Sequence, residues 1–480
     1  MDFLNRDEVL AAIQGFNPWW RQPVQNVAKF RRLAFESCRR RLNDSGLRRA
    51  ILLSGPRRVG KTTVLQQLAA HLLEQGDAPT SVLYLSLDHP LIKIYSLANV
   101  LKLYHEHIHP KGKPATLLLD EVQYAKEWDL ELKQLVDHHP EYRIVATGSS
   151  ALAHRTHVAE SGVGRWLTIP VPTLSFYEYL QIRGESPTNI PEDLIPRKLF
   201  DWDAAKIGEL ARAFRLVQDS FQRYLLVGGF PETAKLTDLS LCQRLLREDV
   251  VERVLKRDMT ALFRIRNVND LERIFIYLCL HTGGLFSTQG CASDVGTTSV
   301  TVANYLQNLE QANLIYRLPP TVKGGKAILK ARYKVYLVDA ALRNAVLLRR
   351  EEILSDPAQM GLVVETAVLR HLYAYSYLDT PRISYWRDAA TEREVDIIVQ
   401  SPNYHLAVEV KYQEKPVIGS KDGLAVYCKS QALKTAYVVT KKDTDFGVRK
   451  LDGKDTSFLH IPAHIFCFLL GQAERLLWIK

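Results

Sequence analysis

A chain of 480 residues with 46% hydrophobic and 24% charged side chains is too long for one core and too apolar to be disordered. It asks for about three or four domains of ordinary size, and its formal net charge of +10 favours polyanionic partners, although a basic surface also serves solubility. No apolar run approaches the ~20 residues that span a bilayer. The six cysteines (Cys38, Cys242, Cys279, Cys291, Cys428 and Cys467) are scattered without paired metal-ligand spacing, as in a reduced cytosolic protein. The start, Met1-Asp2-Phe3-Leu4-Asn5, lacks a signal-peptide pattern, so a cytoplasmic protein without a membrane partner is expected.

Residues 1–44 read as a helical arm, in which Phe16-Asn17-Pro18-Trp19-Trp20 is expected to pack onto a neighbouring domain. Arg49 to Ser54 is an apolar run fit for a buried parallel strand. Gly55-Pro56-Arg57-Arg58-Val59-Gly60-Lys61-Thr62 follows, and Thr62 to Leu73 has helical apolar spacing. Strand, glycine-rich loop and helix together make a phosphate-binding loop. Gly55 and Gly60 let backbone N–H groups of the Gly55–Thr63 segment turn toward phosphate. Lys61 reaches the β- and γ-phosphates, and the Thr62 hydroxyl is a ligand for Mg²⁺. ATP and Mg²⁺ are the cofactors this implies.

His105, His107 and His109 alternate before Lys111-Gly112-Lys113-Pro114. They read as a polar linker rather than a metal site, because no convergent fourth ligand is visible. The strand Ala115-Thr116-Leu117-Leu118-Leu119 ends in Asp120-Glu121. Asp120 is placed to hold the ion through water and Glu121 to polarise the attacking water. The strand Tyr142 to Ser150 ends in small hydroxyl residues. Thr147 and Ser149 are candidates to sense the γ-phosphate, and equally good turn formers. Strands alternating with helices over residues 45–171 predict a parallel sheet with helices on both faces.

The run Ser54 to Thr63, then Leu119-Asp120-Glu121-Val122-Gln123, then Thr147-Gly148-Ser149-Ser150, resembles the predicted AAA-type ATPases of bacteria and archaea. Those carry a C-terminal domain of unknown function with a restriction-endonuclease-like core. The resemblance continues through Gly164-Arg165, Leu174 to Leu180 and Tyr224 to Glu232, and spans roughly residues 45–460. It implies that Arg165 is a charge-stabilising finger, one that ties hydrolysis to assembly when a neighbouring subunit of a homo-oligomer supplies it; a helix-capping or salt-bridging arginine is the other reading.

Residues 172–262 look helical and amphipathic, as a lid or connector would. In residues 263–335 an apolar helix, Leu271 to His281, leads into a polar stretch with Gly283, Gly284, Ser287 and Thr288. A turn and helix over Thr297 to Glu310 and a strand at Leu314 to Leu318 follow. This resembles a winged helix-turn-helix, whose second helix commonly enters the major groove. Here that helix offers Ser299, Asn304, Gln307 and Asn308 but no lysine or arginine, so a structural hinge is an equal reading. Lys323, Lys326, Lys330 and Arg332 partly restore the charge.

Residues 336–480 are expected to form an α/β domain. Residues 361–377 read as a helix containing Glu365, and Ile383 to Arg387 as a strand. Glu394 to Val399 and His405 to Lys411 are two further strands joined by Ser401-Pro402-Asn403. Alternation sets Asp396 and Glu409 at comparable depths and turns Glu409 and Lys411 to one face. Two carboxylates and a lysine can bind Mg²⁺ or Mn²⁺ and activate water against a phosphodiester. The pattern resembles the PD-(D/E)xK nuclease core, with Val395 where the leading proline would be. That resemblance implies Glu365 as the additional helix carboxylate.

The expectation is an α/β protein with a P-loop AAA-type domain, a helical lid, a winged-helix-like module and a restriction-endonuclease-like domain. Its ATP cycle would control a metal-dependent nuclease acting on DNA. The rival is a nucleotide switch that drives assembly, its rear domain a non-catalytic module binding DNA or protein.

Overall fold

The structure is a computed structural model that describes residues 6–23, 27–44, 46, 48–148, 164–265, 267–321, 332–451 and 455–479. The chain forms two compact units, one built from Met1–Val171 and the other from Pro172–Glu310 with Leu314–Trp478.

The first unit is organised by a five-stranded sheet: β1 (Ala50–Ser54), β2 (Val82–Ser86), β3 (Ala115–Asp120), β4 (Tyr142–Gly148) and β5 (Trp166–Pro170). Their order is β2-β3-β4-β1-β5 and every pairing is parallel. β1 and β3 are buried at every position, as expected where helices cover both faces of a parallel sheet. Because all the strands run one way, Ser54, Asp120 and Gly148 end on one edge, the side where open α/β sheets bind ligands.

The segment Phe16 to Trp20 covers the free edge of β2. The Asn17 side chain donates to the Tyr84 carbonyl (2.9 Å) and accepts from its N–H (2.7 Å). Trp19 and Trp20 both donate Nε1–H to the Val82 carbonyl, at 3.0 and 3.1 Å. These side chains take the place of a sixth strand, which removes an otherwise open row of backbone donors and acceptors. Val9 and Ile13 of the helix Arg6–Phe16 join the same core as Leu83, Leu85 and Leu117. The arm therefore packs on the sheet of its own unit.

The second unit begins with the helix Phe176–Arg183. Ser175 and Glu178 form a reciprocal capping box at its start. Further helices run to Phe263, and then come Val268–Leu280, Thr288–Val295 and Ser299–Gln311. Thr288–Val295 lies in the stretch read from sequence as polar. Ser287 caps it by accepting from the Gly290 N–H, and it buries only the small residues Cys291, Ala292 and Val295, which give a weak apolar pattern. A short antiparallel pair follows, β6 (Ile315–Leu318) with β7 (Lys334–Leu337). Lys323, Lys326 and Lys330 lie outside the described residues.

A mixed sheet closes the unit: β8 (Arg382–Arg387), β9 (Glu394–Gln400), β10 (His405–Lys411), β11 (Thr435–Thr440), β12 (Gly447–Lys450) and β13 (Ser457–Pro462). Its order is β12-β13-β11-β10-β9-β8. β8, β9 and β10 pair antiparallel, and β10, β11 and β13 pair parallel. The helix Pro357–Ser376 packs on β9 and β10, and Gly423–Ser430 packs on β9, β10 and β11.

Gly228-Gly229 has a defined task in this unit. Gly229 donates its N–H to the buried carboxylate of Asp339 (2.9 Å) and accepts from the Leu174 N–H (2.5 Å). Gly228 holds φ +75°, and a Cβ there would stand 2.6 Å from Asp339 Oδ1. Gly228→Ala combines backbone strain with a clash on a buried carboxylate and is expected to lower stability by about 2–4 kcal/mol. Urea unfolding of the full chain checks this; an unchanged midpoint would refute it.

Candidate nucleotide site and carboxylate cluster

The loop after β1 is shaped by close backbone packing. A Cβ on Gly55 would fall 2.0 Å from the Val171 carbonyl oxygen, so only glycine fits. Pro56, Arg57, Arg58, Val59 and Gly60 complete the turn into the helix Lys61–Glu74, whose first residues include Thr62 and Thr63. Buried Arg32 donates to the Val59 carbonyl (2.9 Å) and Arg57 to the Tyr124 hydroxyl (2.7 Å). The Lys61 ammonium donates to the loop's own carbonyls, Gly55 at 2.9 Å and Pro56 at 2.7 Å. That positions a positive charge inside the loop, where a phosphate oxygen can exchange with a carbonyl.

Asp120, only 3% exposed at the end of β3, is the hub of the site. Its Oδ2 accepts from the Thr62 hydroxyl (2.7 Å) and the Tyr84 hydroxyl (2.9 Å), and its Oδ1 from the Thr147 hydroxyl. Thr147 Oγ1 also accepts the Glu121 N–H at 3.0 Å, so one side chain joins both acidic residues. Glu121 sits in the left-handed region (φ 55°), and the Gln123 amide donates to its carboxylate. The sequence gives neither Tyr84 nor Gln123 a role in the site. Val82-Leu83-Tyr84-Leu85 is a short apolar run, and nothing in it singles out a phenol aimed at Asp120. Burial, then the charge of Asp120, pushes the Tyr84 phenol far above its ordinary range, which keeps it a donor.

Ser149 lies outside the described residues. Arg165 precedes β5, its carbonyl accepts from the Ala50 N–H (2.9 Å), and its Nε donates to both oxygens of Asp137 at 3.0 Å. Trp166 pairs with Ala50 whereas Pro170 pairs with Ser54. Arg165 is thus at the amino edge of the sheet, roughly 16 Å along the strands from the phosphate loop. Strand direction sets the Arg165 guanidinium at the edge opposite the chain's own phosphate loop, where it pairs with Asp137.

Of the alternating histidines, His105 and His109 pack in an aromatic cluster, and His107 is exposed. His105 Nδ1 is 2.9 Å from the His109 carbonyl, its Nε2 meets the Tyr142 hydroxyl, and His109 stacks on Tyr104.

In the second unit Asp396 on β9 and Glu409 on β10 face each other in the register that pairs Ile397 with Val408. Asp396 Oδ2 accepts the Val410 N–H (2.8 Å), and Lys411 Nζ contacts Glu409 Oε1 at 2.7 Å. Glu365, from the helix Pro357–Ser376, accepts from the Tyr336 hydroxyl. Burial first, and then the charge of Asp396, raise both Glu365 and Glu409 above the usual carboxylate range.

Lys334, at the start of β7, joins the cluster without any signal in the sequence around it. Its ammonium contacts Glu394 Oε1 and lies 3.7 Å from Glu365 Oε1 and from Asp396 Oδ1. Burial pulls its proton affinity down, but the carboxylates of Glu365, Asp396 and Glu394 more than offset this and hold it charged. Among the described residues no group of three or more His, Cys, Asp or Glu side chains is arranged to hold a metal ion. The three carboxylates Glu365, Asp396 and Glu409 share one cluster, but lysine ammonium groups partner them. Their chemistry still suits an oxygen-bound divalent cation, and Glu409 Oε2 is buried without a hydrogen-bond partner.

The family model described as "AAA domain" matches residues 47–180. Two others, described as "Domain of unknown function (DUF8612)" and "Domain of unknown function (DUF4143)", match residues 218–352 and 360–462. With the phosphate loop and Asp120-Glu121 in place, residues 47–180 are an AAA-type P-loop ATPase domain. An uncharacterized protein of Methanocaldococcus jannaschii, MJ1637, is 27% identical over 391 residues, covering 80% of this chain and 77% of its own. Another from Haemophilus influenzae is 24% identical over 371 residues, 75% of this chain and 82% of its own. Among solved structures, a point mutant of RuvB from Thermotoga maritima overlaps 59% of this chain and 89% of its own (14% identity, TM-score 0.30). AMPPCP-bound DnaA from Aquifex aeolicus overlaps 62% and 92% (17%, TM-score 0.27).

Thr147→Val strips a donor from Asp120 and an acceptor from the Glu121 N–H together. Turnover of ATP is expected to fall at least about tenfold, the rate equivalent of a lost charge-assisted hydrogen bond, with KM changed less than about threefold. Tyr84→Phe should act in the same direction and more weakly. Steady-state ATPase assays at saturating Mg²⁺ check both; a loss confined to KM would refute the positioning role.

Proposed function

We propose that this chain is an ATPase whose nucleotide cycle controls a restriction-endonuclease-like C-terminal domain acting on DNA. In the ATPase half, Lys61 and the loop N–H groups from Gly55 to Thr63 bind the β- and γ-phosphates. Thr62 and Asp120 hold Mg²⁺, which supplies positive charge at the phosphates when bound. Glu121 accepts the proton of the attacking water, and Thr147 keeps it aligned with Asp120. Ser149 belongs to the same proposal as a γ-phosphate sensor. Arg165 is proposed as a finger only toward the nucleotide of a neighbouring copy in a homo-oligomer.

The observation that carries the nuclease half is the facing pair Asp396 and Glu409 on adjacent strands, with Lys411 beside Glu409. Asp396, Glu409 and Glu365 would hold Mg²⁺ or Mn²⁺, which supplies Lewis acidity when bound, and Lys411 would steady phosphate charge. The division proposed is an arm (1–44), ATPase core (45–171), lid (172–262), winged-helix-like module (263–335) and nuclease-like domain (336–480). The exposed face of the helix Ser299–Gln311 presents Val300, Ala303, Asn304 and Gln307, without a basic residue, so DNA affinity in that module would have to come from elsewhere. Cytoplasmic location is part of the same reading; among the described residues no helix is long and apolar enough to cross a membrane.

One observation favours a second reading. Lys334 already neutralises part of the cluster, as suits a non-catalytic module in a nucleotide switch. Plasmid and linear DNA incubated with the protein in Mg²⁺ or Mn²⁺, with and without ATP, separate the two. Cleavage abolished by Asp396→Ala and altered by ATP or by Lys61→Ala is the expected outcome. ATP hydrolysis without cleavage of any substrate would leave the switch.

A further inference from the structure

Lys334 does not belong to the strands that carry the acidic cluster. It opens β7, where its backbone pairs with Leu318 of β6 and bridges to Leu285. From there its side chain, 4% exposed, runs into the carboxylates of Glu365, Glu394 and Asp396. Glu394 is also held by Arg387 (3.1 Å), and Glu409 by Lys411. Four carboxylates thus meet three built-in cations, and most of the charge that would recruit a metal ion is already spent.

The same geometry sets a conflict of position. The ammonium is 3.7 Å from one oxygen of Glu365 and 3.7 Å from one of Asp396. A divalent ion about 2 Å from those two oxygens would lie within about 6 Å of the lysine nitrogen. In a buried site two such positive charges repel strongly. Glu409 Oε2, buried and unpartnered, keeps an unused acceptor in the cluster.

We propose that Lys334 is a built-in cation that competes with a divalent metal ion for this cluster, so that metal binding requires its ammonium to leave. The inference rests on the reading of Glu365, Asp396 and Glu409 as metal ligands. Its consequence is that β7 acts as a latch: the strand must shift, or the side chain swing out, before the cluster takes up its ion.

The test is Mn²⁺ titration of the full chain by calorimetry, with Asp396→Asn as the baseline that subtracts ion bound at the nucleotide loop. Lys334→Met is expected to bind Mn²⁺ at least about tenfold more tightly than the wild type, since removing a nearby like charge in a buried site favours the ion. Lys334→Gln, which keeps a long polar side chain at the position but removes its charge, should tighten binding likewise and serves if Lys334→Met does not fold. In the wild type, acylation of the Lys334 amine, read by peptide mass spectrometry, should rise several-fold on adding Mn²⁺ and stay low in Asp396→Asn. Equal Mn²⁺ affinity in wild type and Lys334→Met, with Lys334 protected throughout, overturns the competition and leaves the metal-site reading standing. Weaker binding in Lys334→Met also overturns it, by making Lys334 a support for the ion. No Mn²⁺ bound in any variant overturns the metal-site reading, and the competition with it.

Discussion

A carboxylate taken out of water must be answered by donors or by a cation, and both candidate sites are solutions to that one constraint. Asp120 is answered by hydroxyl groups, from Thr62, Tyr84 and Thr147. Hydroxyls orient a carboxylate without cancelling its charge, so the site keeps an attraction for Mg²⁺. Glu365 and Asp396, besides the Tyr336 hydroxyl and the Val410 N–H, and Glu394 are answered by the ammonium of Lys334, and Glu409 by that of Lys411. Ammonium groups spend the charge they satisfy. On the proposed reading, the first arrangement is open to an ion, and the second gives up a partner before it accepts one.

The scaffolds follow from simpler demands. A parallel sheet brings the ends of β1, β3 and β4 to one edge, which is why residues as far apart as Thr62 and Thr147 can meet on Asp120. The open edge of β2 needs partners, and Asn17, Trp19 and Trp20 supply them. In the second unit Gly228-Gly229 lets the backbone approach Asp339 so closely that no side chain fits.

Legibility differs by element. β1, β3 and β4 stand out as apolar runs leading into chemistry, and the carboxylate strands β9 and β10 show by alternation. β2 and β5 carry no catalytic punctuation, and with β2 the role of Tyr84 stays hidden. The helix Thr288–Val295 escapes because its buried face is made of small residues. Arg165 is legible as an arginine after a strand, but the edge on which it lies depends on strand direction and register.

What the sequence determined by itself is local: the loop from Gly55 to Thr63, the acidic end of β3, and the spacing of Glu409 and Lys411. Each is contiguous, and its geometry follows from a few backbone dihedrals. What only the tertiary structure decided is who neutralises whom. Tyr84 on Asp120 and Lys334 among Glu365, Glu394 and Asp396 join residues distant in the chain. Electrostatic energy depends on distance through space and on burial, and neither is written in the spacing of residues along the chain.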